Sequence, residues 1–441
     1  MSTFARKLAA VAVSAILVAP AAHATNGYFK IGYGTKNRGM AGAGIAFSQD
    51  SLAPATNPSG IAFVGNRMEG GVELFRPLRH GQLDATMIGG ADSGKVDSGA
   101  NLFAIPHAGF SFNMRDMTVG FALVANGGMN TRYNTNIFDT ALAPAAGAPV
   151  GFMPNTHTLG VNLAQVLMLP TVAYQLNDDH AVGASLVVGY QRFRAYGLGN
   201  FAAFGFSSDP ANLTNNGDDD AWGAGVRIGW TGQLTEYLTV GATYASKVYM
   251  QEFDKYKGLF AEQGDFDIPA SFGVGIALHV SPKTTVAFDV QRIQYGDVAS
   301  IANAGPTVGE FLGAFGGPID PAKLLGADGG FGFGWDDITV YKLGINHEYN
   351  DRWTLRAGFN YGENPIDSDQ NLFNILAPGV VEKHIALGFT YAPNMMNELS
   401  VTYVRALSKK QSHLYDAGMA SYEANIGMDQ HALEVSYAFK F

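Results

Sequence analysis

The sequence predicts an all-β fold, a 14-stranded antiparallel transmembrane β-barrel with an N-terminal hatch (plug) in the lumen. Three observations predict it. Fourteen stretches alternate apolar with small or polar residues at the period of a strand. The connectors between them alternate tight turns with long loops, as in an up-and-down membrane barrel. Residues 25–66 carry glycines and turn residues in place of that alternation. Composition agrees: 47% of residues are hydrophobic and only 15% charged, a shortage that a lipid-facing exterior explains. Beyond residue 24 there is no uninterrupted apolar run of about 18 residues, so any spanning is done by strands.

Taken in order, residues 1–24 read as a secretory signal peptide. Arg6 and Lys7 precede an apolar run from Leu8 to Val18, and Ala22-His23-Ala24 supplies a cleavage site before Thr25. Without Arg6 and Lys7 the net charge of −10 becomes about −12, which argues against a nucleic-acid partner. The chain has no cysteine, so stability must come from closing the sheet and burying the plug. Residues 25–66, the predicted hatch, contain Gly32, Gly34, Gly39, Gly42 and Gly44 and the turn Asn57-Pro58-Ser59-Gly60. Residues 67–441 form the predicted barrel. Its strands fall near 67–79, 102–113, 116–126, 162–177, 180–195, 220–233, 236–250, 267–280, 283–295, 336–349, 351–362, 381–392, 398–408 and 429–441.

Tight turns are expected at 113–116, 177–180, 233–236, 281–283, 350–352 and 393–397, where Asn, Asp, Pro and Ser supply turn chemistry. Long loops are expected at 80–101, 127–161, 196–219, 251–266, 296–335, 363–380 and 409–428. A soluble sandwich would mix connector lengths and cross over in Greek keys. Strand parity supplies a lipid face: Val182, Ala184, Leu186, Val188 and Tyr190 on one strand, Phe272, Val274, Ile276 and Leu278 on another. Trp222, Trp230, Trp335, Trp353, Tyr391 and Tyr437 are expected in the interfacial girdles. The last strand alternates Leu433, Val435, Tyr437, Phe439 and Phe441 with polar or small residues, and the barrel-assembly machinery is its expected partner.

The motifs Asn26-Gly27-Tyr28, Gly39-Met40-Ala41-Gly42-Ala43-Gly44, Asn57-Pro58, 267–275 (DIPASFGVG), 353–359 (WTLRAGF), Pro365, His384 and 388–391 (GFTY) occur in order on this strand count. Together they resemble the FadL/TodX outer-membrane transporters. The resemblance implies a monomeric channel in the outer membrane of a Gram-negative bacterium, with no enzymatic activity, cofactor or metal. It implies uptake of long-chain fatty acids or other hydrophobic small molecules, with outer-membrane lipid as neighbour and destination. Where the family usually has Asn-Pro-Ala, this chain has Asn57-Pro58-Ser59. Monoaromatic hydrocarbons and alkanes are the alternative cargo; a diffusion porin, or a barrel-borne enzyme or adhesin, is the alternative of another class.

The resemblance implies capture on the third and fourth outer loops. Here they hold Leu198, Phe201, Phe204 and Phe206, and Phe253, Tyr256, Leu259 and Phe260, either as an exposed groove or as a small loop core. In the fifth loop Val308, Phe311, Leu312 and Phe315 stand at helical spacing. On the lumen parity, Arg227, Lys342 and Arg356 are candidates for a substrate carboxylate. The acids Glu73, Asp289, Glu348 and Glu434 on the same side make internal ion pairs the stronger reading. Lateral exit is implied at a kink in strand three, for which Gly120 or Asn126-Gly127-Gly128 is available. Ser412-His413 and Asp218-Asp219-Asp220 read as surface: the first pair points apart in an extended chain, and the second lacks spaced calcium ligands.

Overall fold

The computed structural model describes residues 25–151, 157–313, 319–416, 418 and 420–441. The expected signal peptide lies outside the described residues. Fourteen strands close into one antiparallel barrel: β1 Arg67–Asp84, β2 Phe103–Met114, β3 Met117–Asn130, β4 Gly160–Gln175, β5 His180–Tyr196, β6 Asp219–Thr235, β7 Leu238–Ala245, β8 Ser271–Ser281, β9 Thr284–Ile293, β10 Ile338–Asn350, β11 Trp353–Gly362, β12 Lys383–Tyr391, β13 Asn397–Asp416 and β14 Ser421–Lys440. Each pairs with its sequence neighbours. The ring is sealed by β1 against β14, from Arg67 opposite Lys440 to Asp84 opposite Glu423. Closure leaves no sheet edge in lipid.

The alternation does what the parity argument requires. Leu74, Leu186, Val226, Val274, Leu355 and Leu433 are exposed on the outer wall, while their strand neighbours face the lumen and are buried or half-buried. Trp335 departs from the expectation of a girdle residue. It is 2% exposed, because it precedes β10 in a loop that folds over the lumen, and its indole donates to Asn374 Oδ1 at 2.7 Å. The expected loop 409–428 is also corrected. Its residues extend the β13–β14 hairpin to Asp416 and Ser421, capped by stacked Tyr415 and Tyr422 with centroids 4.5 Å apart. This upper hairpin stands beyond the lipid belt, so its outer face is polar and lacks the apolar row that marks the other strands.

Residues 25–66 sit within the ring and touch strands on every side. Helix α1, Thr35–Gly39, is wholly buried, and Thr402 Oγ1 on β13 donates to its Thr35 carbonyl at 2.7 Å. Arg38, 0% exposed, pairs with both Glu73 of β1 and Glu434 of β14; the Glu434 contact is 2.9 Å. Lys30 reaches Glu73 at 2.6 Å. Opposite, Asp289 Oδ2 on β9 accepts the Gly44 and Ile45 amides at 2.7 and 3.0 Å. Glu73, Glu434 and Asp289 therefore hold the hatch, while Glu348 lies at the short-turn end beside a polar cavity of about 410 Å³.

Candidate functional site

The loop aromatics are buried in a common core. Leu198, Phe201, Phe206, Phe253, Tyr256 and Phe260 are at most 3% exposed, and Phe204 and Leu259 are half-buried. The expectation of an open groove is corrected: the fifth and sixth loops cover it, with Phe331 and Phe373 packed onto Phe201 and Phe206. Four of the eight, Leu198, Phe201, Leu259 and Phe260, line a cavity of about 30 Å³ completed by Phe331 and Phe373. The fifth loop's helix, Val308–Gly313, brings Phe311 against Phe206 and Tyr422, its ring centroids 5.8 and 5.0 Å from theirs. Phe315 lies outside the described residues.

From this core a run of aromatic rings leads inward. Phe260 meets Phe266 at 4.8 Å between centroids, Phe266 meets Tyr28 at 6.3 Å, and Tyr28 meets Phe29 at 5.1 Å. Tyr295 and Trp335 close around Tyr28. Tyr295 Oη donates to the Asn26 carbonyl at 2.6 Å and accepts from the Tyr28 amide at 3.2 Å. Gly27 is required here: its φ is +62° and a Cβ would fall 2.6 Å from Tyr295 Oη. Sequence reading missed these partners because Tyr28, Phe266, Tyr295 and Trp335 come from four distant segments.

Below Phe29 lies a lumenal cavity of about 20 Å³ lined by Arg227, Lys342, Lys30, Tyr33 and Gln291. Arg227 donates to the Ala55 and Thr56 carbonyls of the hatch, and Lys342 Nζ to Gln291 Oε1 at 2.8 Å. Among the described residues neither has a carboxylate within 4.0 Å in the recorded ion pairs, although Asp289 stands opposite Lys342 in the ladder. Arg356 is elsewhere, donating to Gln49 Oε1 and Thr390 Oγ1 at 2.7 Å each. Arg227 and Lys342 thus share one cavity, and both arginines, Arg227 and Arg356, tie the wall to the hatch.

Strand β3 parts from β2 while it stays paired with β4 as far as Asn130 opposite Asn162. Its ladder with β2 ends at Ala108 opposite Leu123, and a bulge at Asn126 interrupts its ladder with β4. From Ala122 onward every residue of β3 is buried, and Ala125 shares a cluster with Phe75, Phe103 and Ile105. Gly127 pairs instead with Phe29 of the hatch, and a Cβ on it would collide with Tyr28. The break falls at Asn126-Gly127, with Gly128 just beyond on a second small cavity. Gly120 lies in regular ladder between Ser111 and Thr171, where a Cβ would approach Ile61 of the hatch.

The hatch motifs are local anchors. Gly42 has φ +87° and packs on the Ile31 carbonyl, while Gly44 supplies an amide to Asp289. Asn57 caps the 3₁₀ turn Pro58–Phe63 and donates to Ile45 O and Trp230 O at 2.8 and 3.0 Å. The Ser59 hydroxyl bonds Asn57 Oδ1 at 2.7 Å and Thr231 Oγ1 at 2.8 Å, so the departure from Asn-Pro-Ala adds a tie to the wall. Asp218 and Asp220 are engaged by Arg194 and Arg192.

A family profile described as "Outer membrane protein transport protein (OMPP1/FadL/TodX)" matches residues 15–441. Among curated protein sequences none matches. The structure resembles the toluene transporter TodX of P. putida, with TM-score 0.65, 19% identity and coverage of 93% of this chain and 99% of that one. It also resembles the Ralstonia pickettii toluene transporter TbuX, with TM-score 0.61, 19% identity and coverage of 93% and 99%. A Pseudomonas aeruginosa FadL homologue gives TM-score 0.65, 14% identity and coverage of 94% and 100%. A closed 14-stranded wall, a lumen filled by the leading segment and a match over nearly the whole length lead to one conclusion: the chain belongs to the OMPP1/FadL/TodX family of Gram-negative outer-membrane channels for hydrophobic compounds.

Proposed function

We propose that this channel takes up apolar molecules bearing one carboxylate, long-chain fatty acids foremost. They enter at the loop core, follow the aromatic rings inward and leave between β2 and β3 into the membrane. The observation that carries the reading is the lumenal cavity, where Arg227 and Lys342 stand together beneath Phe29 with neutral hydrogen-bond partners. A guanidinium and an ammonium beside an apolar passage suit a carboxylate head with a hydrocarbon tail. Lateral exit keeps that tail out of water, at about 0.8 kcal/mol per buried methylene.

Replacement of Lys342 by Gln, which leaves Arg227 on its hatch carbonyls, tests this. Uptake of palmitic acid should fall roughly tenfold, the scale of one charge-assisted hydrogen bond, while uptake of the corresponding alcohol is unchanged. Equal loss for both would remove the carboxylate role. The aromatic lining of the loop cavity favours a second reading, monoaromatic hydrocarbons, and the toluene transporters named above share this fold. On that reading toluene uptake exceeds fatty-acid uptake and is indifferent to Lys342.

A further inference from the structure

We propose that the outer wall of β13, β14 and β1 carries a binding site for the phosphates of a phosphorylated glycolipid of the outer leaflet. Arg405, His431 and Arg76 lie directly opposite one another across these three strands and share the outward parity. One row nearer the short-turn end, Tyr403, Leu433 and Leu74 are exposed members of the apolar belt. Arg405 and Arg76 therefore stand toward the long-loop side of the belt, near the level where acyl chains give way to headgroups, with Leu407 still exposed above Arg405.

Arg405 and Arg76 stand two strands apart in this row, with Asp429 of the next row as the carboxylate that serves it. Asp429 takes Arg405 at 2.7 Å. The His431 ring is fixed between Tyr403 Oη, 2.6 Å from Nδ1, and Arg405 Nη1, 2.5 Å from Nε2. Arg76 is exposed and, among the described residues, has no recorded ion pair. Toward the loops Lys410 lies opposite Gly427, which lies opposite His80, and His80 in turn faces Asp97, which pairs with Lys95 at 3.2 Å.

Across the barrel the arrangement differs. On β5 and β6 the outward Arg192 and Arg194 are matched one to one by Asp220 and Asp218, at 2.7 and 2.9 Å. Between them Arg405 and Arg76 have no such one-to-one match among the described residues. Two guanidinium forks flanking an imidazole, above an apolar strip, fit a ligand with phosphates at this level and several acyl chains below it. A free carboxylate cargo bound inside the barrel has no access to this face.

The test uses the mature protein in detergent micelles and native mass spectrometry with bisphosphorylated lipid A as probe. The wild type should retain lipid A, and the Arg76→Gln/Arg405→Gln variant should retain roughly tenfold less. Arg192→Gln on the opposite wall should retain as much as the wild type, and heat-modifiable mobility on gels reports folding of each variant. Asp429→Asn, which removes the competing carboxylate, should retain more lipid A and gives the same information if the double variant fails to fold. Equal retention of dephosphorylated lipid A, full retention by the double variant, or unchanged retention by Asp429→Asn would overturn the proposal. So would loss of the lipid to millimolar inorganic phosphate, which would mean an adventitious ion site.

Discussion

Substituting Arg38 by Gln should loosen the hatch. Arg38 is fully buried and serves two buried carboxylates, Glu73 and Glu434, with Lys30 as the other cation, 2.6 Å from Glu73 and 3.9 Å from Glu434. Without Arg38 one ammonium faces two carboxylates, all three side chains buried from solvent. Breaking a buried pair by deleting one partner costs about 3–5 kcal/mol, which shifts the docked-to-displaced ratio of the hatch by roughly two to four orders of magnitude. Single-channel recording in planar bilayers reads this as added openings. Deleting 25–66 sets the fully open level. Arg38→Gln combined with Glu434→Gln restores the balance, leaving Lys30 for Glu73, and should return conductance toward the wild type. Wild-type conductance for Arg38→Gln, beside an open deletion variant, would refute the electrostatic lock; an open double variant would show that shape rather than charge holds the hatch. An unchanged deletion variant would refute the plug itself.

Gly229 faces the lumen where a Cβ would run into the Asn57 side chain, so Gly229→Val should destabilise the closed barrel by about 1–3 kcal/mol, seen as a lower urea midpoint. Asp265, in the fourth outer loop beside Asp267, Glu262 and Lys247, is pushed up to about 7 by burial, with Asp267 and Glu262 adding to the rise. Its folded form favours the proton, so its contribution to loop order is full at acid pH and fades as pH rises through about 7. Protection of the amides of residues 246–270, after correction for the base catalysis of exchange itself, should therefore fall between about pH 4 and 7, and Asp265→Asn should abolish that fall; an equal fall in the variant would exclude Asp265. Phe201→Ala, which enlarges the cavity of about 30 Å³, should cost about 3–5 kcal/mol. Benzene should raise its melting temperature more than that of the wild type, since a dry cavity of about 150 Å³ admits benzene; an equal rise in both would show that the ring binds elsewhere.

The wall was legible because the alternation of Leu74, Val226 or Leu355 with buried or half-buried neighbours repeats on every strand in lipid. The upper β13–β14 hairpin was not, because Lys409 to Asp416 stands above the belt, where nothing forces an apolar row. The hatch was legible as a composition change, and its contact sites were written less openly, in wall glycines. A Cβ at Gly229 would strike Asn57, one at Gly241 the Ile45 carbonyl and one at Gly358 Met40. Glycine on the lumen parity of a strand therefore marks where the plug rests, a signal that hydrophobic periodicity passes over. For the site, sequence found the loop aromatics and the lumenal cations but could not tell a groove from a core. That distinction rests on Phe331 and Phe373, which arrive from two other loops.

The hatch does more than fill the bore. Where β3 parts from β2 after Leu123, its inner edge would offer unpaired amides and carbonyls. Phe29 takes up the pairing at Gly127, and the Tyr28 main chain packs on the same glycine. The same two residues lean on Tyr295 of the fifth outer loop through their amides. One short segment therefore joins the loop core, the lumenal cavity and the break in the wall. On the proposed route, a cargo that wedges between Phe266 and Tyr28 would displace that segment and uncover the β3 edge at the same time. Entry from the loops and opening of the side wall would then be coupled through residues 26–30, and Lys30, 2.6 Å from Glu73, would carry the movement to the cluster that holds Arg38.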